Sequence, residues 1–579
     1  MELYSLTPDA LLDYFNRLLA ETKFRMIIDE NGESPLVCEE GVISNFILVP
    51  IAEVTEIAKT KSTHRLKAAV YKNGKLTQPV EIAMNTLFQP RKWHEIWGIT
   101  MIGVCESGQA EVLRFIFSKL SSAIASEESY RYTGWSHDGD SFLLGNLKLS
   151  KDTVVPVRHS ILKKAAFDES IQPSTLVEFV LTHYLCVLTK PVYTQIIFCF
   201  TMLSLLFSKI TDTCSTTVKF ALYIKSLYGS GKTTVITALT NPWGAETLSF
   251  EDTEAALTQA LKDCRDLPTL IDDMSKSKRP GMVAKAERIA RLVGDPGTSA
   301  KKMKGGERYN EGISCLSIMS GEEVPALQLS SYVRMLILSL EPELFNWEEV
   351  TCLQNNRVTL TSFWVRFLQY IMNREDVMAS LETAFIRYRS EVLDEFRQNR
   401  MNNRYAEMYG WLMAAWGLFT EYSASSGITV ADYEFGTHLK GLLITQNMKY
   451  GLKTPSELFL TAFYALIETD RLTIVSYEEA KNGAPFDVMH HASEWWVRSG
   501  IVYRKIKKYY EEHNMDCPFS EKAMRKDLAD THLLKIPANA KGTLTTEWKD
   551  RQNKSSQCMV LYESLCKNFI EKGDLDNEH

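Results

Sequence analysis

Residues 226–234 read Ser226-Leu227-Tyr228-Gly229-Ser230-Gly231-Lys232-Thr233-Thr234, and they follow an apolar, strand-like run at 220–224. Small residues let backbone N–H groups curl around a polyphosphate, a lysine reaches the terminal phosphates, and a hydroxyl holds Mg²⁺. The apolar run 235–239 predicts a helix whose positive N-terminus favours the same phosphates. We therefore predict a P-loop that binds ATP and Mg²⁺, in which Ser226 replaces the usual first glycine.

The residues of this loop have different predicted roles. Lys232 is predicted to contact the phosphates during catalysis, and Thr233 is predicted to bind the metal. The loop backbone and its hydroxyl groups supply the remaining contacts to the nucleotide. The complete set of predicted nucleotide ligands in the loop is Ser226, Gly229, Ser230, Gly231, Lys232, Thr233 and Thr234.

An acidic pair follows a second apolar run. Residues 267–271 are strand-like and end in Asp272-Asp273. Since the magnesium needs an acidic partner and hydrolysis needs a carboxylate to activate water, we assign Asp272 to the metal and Asp273 to the attacking water. Aspartate is shorter than the glutamate more often found at the second position, so we expect slow hydrolysis. A strand that ends in a solvated acidic turn is the alternative interpretation.

Two more polar residues stand at the ends of predicted strands. Ser320 follows the run 315–319, where a strand end between the two phosphate-handling strands would let it sense the terminal phosphate. Arg334 precedes the run 335–340 on a predicted subunit edge, from which it could reach a neighbour's nucleotide, although a solvated arginine is the alternative. The other predicted elements of this parallel sheet are a strand at 247–250 and helices at 254–264, capped by Asp252 or Thr253, and 282–292.

Composition bounds the class of protein. The chain has 579 residues, 45% hydrophobic and 24% charged, enough for several domains with sizeable cores. Its eleven cysteines form no C-x-x-C pair or His/Cys cluster, which predicts a reducing, cytoplasmic environment without disulfides or structural zinc. The N-terminus lacks the pattern of a secretion signal. The longest uncharged apolar run, 193–208, is shorter than a membrane helix, so we predict a buried helix there and no membrane contact.

The chain divides by pattern into five regions. Residues 1–150 alternate apolar and polar positions, with helices at 7–21 and 108–123, a hairpin turn at Lys72-Asn73-Gly74-Lys75 and a second hairpin at 132–142. This pattern predicts a β-rich N-terminal domain. The other predicted regions are a helical linker (151–215), a P-loop ATPase core (216–344), a helical lid (345–450) and a C-terminal domain (451–579).

The C-terminal region is locally basic on an acidic chain. The net charge of the chain is −7, whereas residues 501–560 hold twelve Lys and Arg against eight Asp and Glu, a balance of +4. Ser520 can cap a helix at 521–528, and strands at 533–536 and 559–562 with a polar arm between them complete a predicted winged helix. We predict that it binds DNA, and a protein-contact module is the alternative. The predicted DNA ligands are Lys522, Arg525, Lys526, Lys549 and Arg551.

The order of these motifs resembles a known family, the self-loading, MCM-like AAA+ replicative helicases of staphylococcal chromosome cassettes and pathogenicity islands. The resemblance covers most of the chain and rests on Gly134-Trp135, the P-loop 227–234, Asp272-Asp273, Ser320-Gly321-Glu322 and Arg334. It implies a multidomain α/β protein with a central AAA+ P-loop ATPase, a helical lid, a β-rich N-terminal domain and a C-terminal winged helix. It also implies a hexameric ring with ATP between subunits, which loads at an origin, unwinds duplex DNA and initiates replication of a mobile genetic element.

The resemblance also assigns roles to single residues. By similarity the first sensor is Ser320 and the trans-acting finger is Arg334. The lid arginine, which would bind the nucleotide, is Arg404 in Asn403-Arg404-Tyr405-Ala406. The phosphate, metal and base roles of the family fall on residues that already carry them from the motif chemistry: Lys232, Thr233, Asp272 and Asp273.

A lysine-rich loop precedes the strand that ends at Ser320. It reads Ala300-Lys301-Lys302-Met303-Lys304-Gly305-Gly306-Glu307-Arg308, and its glycines permit a hairpin tip flanked by cations. In a ring this insertion would project into the pore, where Lys301, Lys302 and Lys304 could grip successive phosphates of single-stranded DNA. A solvated surface loop is the ordinary alternative.

Two other functions stay open at the level of sequence. The chain could be an origin-binding initiator or regulator that uses ATP as an assembly switch and does not unwind DNA. It could also be a protein-remodelling ATPase, which predicts aromatic pore loops and an adaptor domain. The lysine-rich loop and the basic C-terminal region weigh against protein remodelling. Strand displacement from forked DNA with ATP distinguishes a helicase from both.

Overall fold

A computed structural model gives the three-dimensional structure of the chain. A parallel sheet of five strands lies at its centre, β-rich units precede this sheet, and a unit of helices and a second five-stranded sheet follows it. The residues that the structure describes are 6–30, 33, 35–58, 62–89, 92–98, 117–119, 124–136, 138–159, 162, 164–274, 281–294, 301–302, 308–309, 313–324, 329–399, 401–431, 434–450, 454–512, 517, 519–537 and 544–575.

The central sheet consists of parallel strands only. Their order is Leu248–Ser249, Thr269–Met274, Ser317–Gly321, Ala221–Lys225 and Met335–Ser339. The inner strands are mostly apolar and buried, as expected of a parallel sheet that is covered on both faces. The carboxyl ends of all five meet at one edge, and the Ser320 strand lies between the P-loop strand and the acidic strand. The predicted strands at 220–224, 247–250, 267–271, 315–319 and 335–340 are confirmed, with small shifts at their ends.

Helices cover both faces of the central sheet. Successive strand residues point to opposite faces, so Leu222 shares an apolar core with helix Lys232–Thr240, while Tyr223 shares another with Glu254–Asp263 and Met282–Gly294. The second of these helices begins after Thr253, one of the two predicted caps. The predictions of helices at 235–239, 254–264 and 282–292 are confirmed.

Five helices follow the last strand of the central sheet, in the region predicted as a lid. They are Trp347–Asn355, Arg357–Met372, Val377–Gln398, Asn403–Ser425 and Phe435–Tyr450. Gln446, on the last of them, lies against the edge strand: its Oε1 accepts from the Ile337 N–H at 2.8 Å, and its Nε2 donates to the Met335 carbonyl at 2.7 Å. Because these backbone groups have no further strand to pair with, the amide both satisfies them and fixes the helical region to the sheet.

In the described residues between 164 and 220, the α-helices that lead into the P-loop strand are Pro173–Thr182, Pro191–Leu205 and Phe207–Thr213. Pro191–Leu205 is almost entirely buried against the central sheet and the later helices, which confirms the buried helix predicted at 193–208. Across the described ranges, no single helix is long and apolar enough to cross a membrane. Pro191–Leu205 and Phe207–Thr213 meet that criterion only when taken together, and a bend of 60° separates them.

The N-terminal region contains the predicted β-structure. Helix Pro8–Leu18 confirms the helix predicted at 7–21. Asn73 (φ 51°) and Gly74 (φ 71°) form the predicted hairpin turn, where positive φ at both positions suits a two-residue loop. The helix predicted at 108–123 lies outside the described residues except for 117–119, which are helical. The main strands are Arg25–Met26, Leu36–Cys38, Gly41–Ser44, Ile47–Ile57, Thr63–Lys72, Lys75–Leu76, Val80–Ala83, Ala125–Tyr130 and Arg158–His159, with short helices Met84–Phe88 and Trp93–Trp97.

A small antiparallel sheet joins the N-terminal region to the central core. Its strands are Gly134–Trp135, Phe142–Leu144, Leu147–Leu149 and Val154–Pro156, and the first two confirm the hairpin predicted at 132–142. The Trp135 indole N–H donates to the Leu205 carbonyl at 2.9 Å, and the Trp135 backbone N–H donates to Oδ2 of Asp266 at 3.1 Å. Both partners belong to the central region, so this sheet is held against it by buried polar contacts.

The C-terminal region combines helices with a five-stranded sheet. Helix Glu521–Asp530 begins after Ser520, whose hydroxyl accepts from the Ala523 N–H at 3.2 Å, as the cap prediction requires. The predicted strand at 533–536 is wrong: the segment makes one isolated bridge and is followed by Pro537, which has no N–H to continue a ladder. The other elements are helices Pro455–Glu468, Tyr477–Lys481, Ser499–Glu512 and Glu563–Leu575 and strands Ile474–Ser476, Val488–His491, Glu494–Val497, Thr546–Lys549 and Ser555–Tyr562.

Candidate nucleotide-binding site

The P-loop joins the carboxyl end of its strand to a helix through two glycines in the left-handed region. Gly229 has φ 68° and Gly231 has φ 83°, conformations that other residues adopt only with strain. A Cβ atom on Gly231 would also lie 2.4 Å from the ring of Trp347, so the side chain of Trp347 fills the space over the loop. Ser226, at the position of the usual first glycine, is buried, and its Oγ lies 2.8 Å from that of Ser230. The two hydroxyls bridge the base of the loop.

Lys232 is the first residue of the P-loop helix and is only 8% exposed. Within the described residues, its ammonium group has neither an ion-pair nor a hydrogen-bond partner. A buried cation without a partner is unfavourable, and the helix N-terminus adds partial positive charge at the same place. This combination suits an anionic ligand such as a polyphosphate.

Asp272 is the centre of the hydrogen-bond network beside the loop. Its Oδ2 accepts from the Thr233 hydroxyl at 2.5 Å, and its Oδ1 accepts from the Ser320 hydroxyl and from the Asp273 N–H, the latter at 2.8 Å. The structure therefore brings the predicted metal ligands and the predicted sensor together at the carboxyl edge of the sheet. A hydroxyl and a carboxylate are the oxygen donors that Mg²⁺ prefers, so the residues present fit that cation.

Asp273 has an unusual backbone. Its φ is 67°, and the pairing register shifts between Ile271 and Met274 at this point. The strand thus continues through the acidic pair to Met274, where the sequence predicted that it would end before Asp272. Bulges of this kind redirect side chains and are frequent next to active sites. The irregularity in the strand therefore coincides with the acidic pair.

Arg334 and Arg404 lie at the opposite edge of the sheet. The Arg334 carbonyl accepts from the Ala221 N–H at 2.9 Å, at the amino end of the P-loop strand. Arg404 donates to the carbonyls of Lys219 (3.3 Å) and Gly294 (3.2 Å). Gly294 also packs against the Arg334 side chain, because a Cβ there would lie 2.8 Å from Arg334 Cδ. The structure therefore places these two arginines together and does not bring either to the P-loop of its own chain.

A cavity of about 590 Å³ lies beside the P-loop helix, and sequence reasoning did not find it. Thr233 and Thr234 belong both to this cavity and to the loop, while Lys164 and Arg357 supply cations from distant parts of the chain. Its volume is in the range of small-molecule sites. The contact of Trp347 with the P-loop could not be predicted from the sequence either. Neither residue type nor spacing indicates this contact or the cavity, because both form only in the folded chain.

The predicted DNA ligands differ in how much of each side chain is available. Lys522 and Lys526 are exposed, whereas Arg525 is partly buried and forms an ion pair with Glu521. Lys549 and Arg551 lie on or beside the strands of a hairpin and are mostly exposed, 54% and 64%, with long contacts to acidic neighbours. Arg525 therefore stabilises its own helix, and the other four cations are the ones open to a polyanion.

The lysine-rich loop is described only at its base. Lys301–Lys302 pairs antiparallel with Arg308–Tyr309. This is the strand pairing that the predicted hairpin requires at its base. Residues 303–307, which include Lys304, lie outside the described residues.

Comparison of the sequence with protein-family models and with curated proteins gives no match. Among solved structures, the fold resembles that titled "SCCmec type IV Cch - active helicase", with a TM-score of 0.57 and 11% identity over 93% of this chain and 98% of that one. A JCV helicase with a bound inhibitor (TM-score 0.24, 13% identity, 47% of this chain and 66% of that one) and the C-terminal region of NrS-1 (0.23, 10%, 75% and 94%) are much less similar. The first likeness shows that one overall fold extends along nearly the whole chain.

Proposed function

We propose that this chain is an ATP-dependent DNA helicase that initiates replication of a mobile genetic element. The observation that carries this proposal is the meeting of Thr233 and Ser320 on Asp272, next to the buried Lys232. The likeness in fold to a solved protein titled an active helicase supports the same conclusion. The proposed domains are 1–150, 151–215, 216–344, 345–450 and 451–579.

ATP and Mg²⁺ are the proposed ligands of the P-loop site. Lys232 and the loop N–H groups would hold the phosphates, and Thr233 and Asp272 would hold the cation. Magnesium supplies neutralisation of phosphate charge when it is bound. The cavity beside Thr234, with Lys164 and Arg357 in its wall, has room for the nucleoside part of the ligand.

The chain's own groups divide the chemistry between them. Asp273 would accept the proton of the attacking water at a carboxylate oxygen, while the Asp272 carboxylate, which three donors orient, would face the metal. Ser320 fixes the orientation of the Asp272 carboxylate and would sense the terminal phosphate through that contact.

A ring explains the position of the two arginines. Arg334 and Arg404 lie together at the edge of the sheet remote from their own P-loop. In a closed ring this edge would face the neighbouring subunit's nucleotide, where guanidinium groups stabilise charge on the transferring phosphoryl group. We propose a hexamer of this kind, in which Arg334 is the finger and Arg404 acts in trans beside it.

DNA would bind at two surfaces. The lysine-rich loop with Lys301, Lys302 and Lys304 is the proposed contact to a single strand of DNA in the pore. The C-terminal helix Glu521–Asp530 and the hairpin after it are the proposed contact to duplex DNA at an origin, as in a winged helix.

The proposed nucleotide site is tested by the hydrolysis rate of Lys232→Ala. We expect loss of ATP hydrolysis in a protein that still folds, because no other side-chain cation of the loop is available to the phosphates. Lys225→Ala is the matched control, since Lys225 is the last residue of the P-loop strand and lies outside the loop itself. Hydrolysis at the wild-type rate by Lys232→Ala would show that the site is assigned wrongly.

A further inference from the structure

Three side chains with metal-binding donor atoms meet at a place remote in sequence from the P-loop motif. His183, Glu349 and Cys352 are all partly buried, and one donor atom of each lies within 4.8 Å of the other two. Nδ1 of His183 lies 2.7 Å from Oε2 of Glu349. The side chains of these two residues are 40% and 21% exposed, so the cluster lies at the surface with its carboxylate partly covered.

The two halves of the cluster come from segments that are far apart in the sequence. His183 follows helix Pro173–Thr182, whereas Glu349 and Cys352 are three residues apart on helix Trp347–Asn355. Residues three apart on a helix share one face, so both side chains can turn toward His183. The sequence shows no His/Cys cluster, because these donors meet only when the segment after Pro173–Thr182 packs on helix Trp347–Asn355.

Cys186 is three residues after His183 and is an exposed free thiol, but its Sγ donates to the Leu181 carbonyl at 3.8 Å on its own segment. Among the described residues, the donor atoms that meet at this place are therefore those of His183, Glu349 and Cys352.

We propose that His183, Glu349 and Cys352 form a zinc site in which water takes the fourth position. Imidazole, thiolate and carboxylate are the ligand types that Zn²⁺ takes in tetrahedral sites, whereas Mg²⁺ and Ca²⁺ prefer oxygen alone. Bond lengths of roughly 2.0–2.3 Å place the ligands of a tetrahedral ion about 3.5 Å apart. The donor atoms of the three residues are within 4.8 Å of one another. Side-chain rotations that move these atoms by about 1 Å would therefore bring them to the spacing of a tetrahedral site.

The site has a structural consequence because of what its second helix does. Helix Trp347–Asn355 begins with the residue whose ring covers Gly231 of the P-loop. Zinc would tie this helix to the segment after Pro173–Thr182, and so hold Trp347 in place over the loop. The zinc site does not depend on the proposed helicase activity.

The experiment measures zinc and cobalt binding by the full-length, tag-free chain. After removal of metal with a chelator, the protein is titrated with Zn²⁺ and, separately, with Co²⁺, whose thiolate complexes show a ligand-to-metal charge-transfer band. We expect one zinc per chain, a cobalt spectrum with that band, and a higher midpoint of thermal unfolding with zinc. Absence of stoichiometric zinc would overturn the proposal and leave His183 and Glu349 as an ordinary ion pair.

Variants locate the bound metal. Cys352→Ser and His183→Ala should each weaken zinc binding at least tenfold, and Cys352→Ser should also lose intensity in the charge-transfer band. Cys214→Ser is the matched control, since Cys214 is a partly buried free thiol on a different surface. Glu349→Gln keeps the size of the side chain and serves as the test if either variant fails to fold by circular dichroism. Zinc affinity that is unchanged in all three ligand variants would place the metal elsewhere and overturn the assignment.

Discussion

The Thr233 hydroxyl donates a hydrogen bond of 2.5 Å to Oδ2 of Asp272, and so joins the P-loop helix to the acidic strand. The P-loop strand and the acidic strand are not neighbours in the sheet, because the Ser320 strand lies between them. Ser320 bonds to the other oxygen of the same carboxylate. One carboxylate therefore holds three elements of the site in a fixed relation, and its charge is the property that a metal ligand needs.

Asp272→Asn should remove magnesium-dependent ATP binding and lower hydrolysis by about 100-fold or more, because the amide keeps the shape but not the charge of the side chain. Calorimetric titration with ATP in the presence and absence of Mg²⁺, together with single-turnover hydrolysis, measures both effects. Asp273→Asn is the control, and it should retain binding while losing turnover. Magnesium-dependent binding equal to that of the wild type in Asp272→Asn would contradict the assignment.

Arg334→Ala should leave nucleotide binding intact and strongly lower turnover, because the guanidinium is proposed to act on the neighbouring subunit. Mixtures with Lys232→Ala provide the measurement. An interface with an intact P-loop from the Arg334→Ala subunit and an intact finger from the Lys232→Ala subunit is complete, so mixtures should recover hydrolysis that neither variant has alone. Failure of every mixture to recover activity would indicate a role within one chain.

Burial raises the pKa of Asp266 to about 6, although Arg265 and the N–H groups of Ser208 and Trp135 oppose the shift. The folded protein then holds this proton more tightly than the unfolded chain does, so Asp266 contributes stability at low pH that is lost as the pH rises from about 4 to about 6. The free energy of unfolding that is lost over this interval is on the order of 3 kcal/mol. We expect the unfolding temperature of Asp266→Asn, relative to the wild type, to increase across this interval.

The measurement is a series of thermal unfolding curves of both proteins between pH 4 and pH 7. Asparagine cannot ionise, so the variant lacks this contribution, while the loss of a hydrogen bond to the Trp135 N–H lowers its stability by a constant amount. The test depends on the difference in unfolding temperature between the two proteins at each pH, and not on the unfolding temperature of either protein alone. A difference that is independent of pH would show that Asp266 stays ionised throughout.

Replacing Lys522 and Lys526 by alanine should weaken duplex binding and reduce the slope of log K against log salt by about 1.8, since each phosphate contact contributes about 0.9. Arg525→Ala is the informative comparison, because this arginine is partly buried and paired with Glu521. It should change the salt slope less and lower the stability of the C-terminal region more. Binding curves at several salt concentrations give both slopes. Unchanged binding by the double variant would favour a protein-contact role for this surface.

Local pattern predicted the central sheet well. The P-loop strand, the acidic strand and the Ser320 strand each carry an apolar run followed by a polar residue, and that signal lies within about ten residues. The same kind of reasoning failed for 533–536, where an apolar run is followed by a proline and pairs at one bridge only. Periodicity shows that a segment can be a strand, and only the packed neighbours decide whether it pairs.

Contacts between distant segments could not be predicted. Asp266 follows Arg265 in what reads as a polar turn, yet its buried carboxylate joins the small N-terminal sheet to the central region. His183 and Glu349 are 166 residues apart and meet only because the segment after Pro173–Thr182 packs on helix Trp347–Asn355. The sequence shows which side chains can bind a proton, a metal or a phosphate, while the fold decides which of them meet.

The most direct test of the helicase proposal is strand displacement from forked DNA by the wild type and by a variant with Lys301, Lys302 and Lys304 all replaced by alanine. We predict that the wild type displaces the strand with ATP. The triple variant should retain basal hydrolysis but lose both stimulation by single-stranded DNA and displacement, because it cannot grip the strand in the pore. A wild-type protein that hydrolyses ATP and binds DNA yet displaces no strand from forks of either polarity would contradict the account and favour an ATP-switched DNA-binding protein.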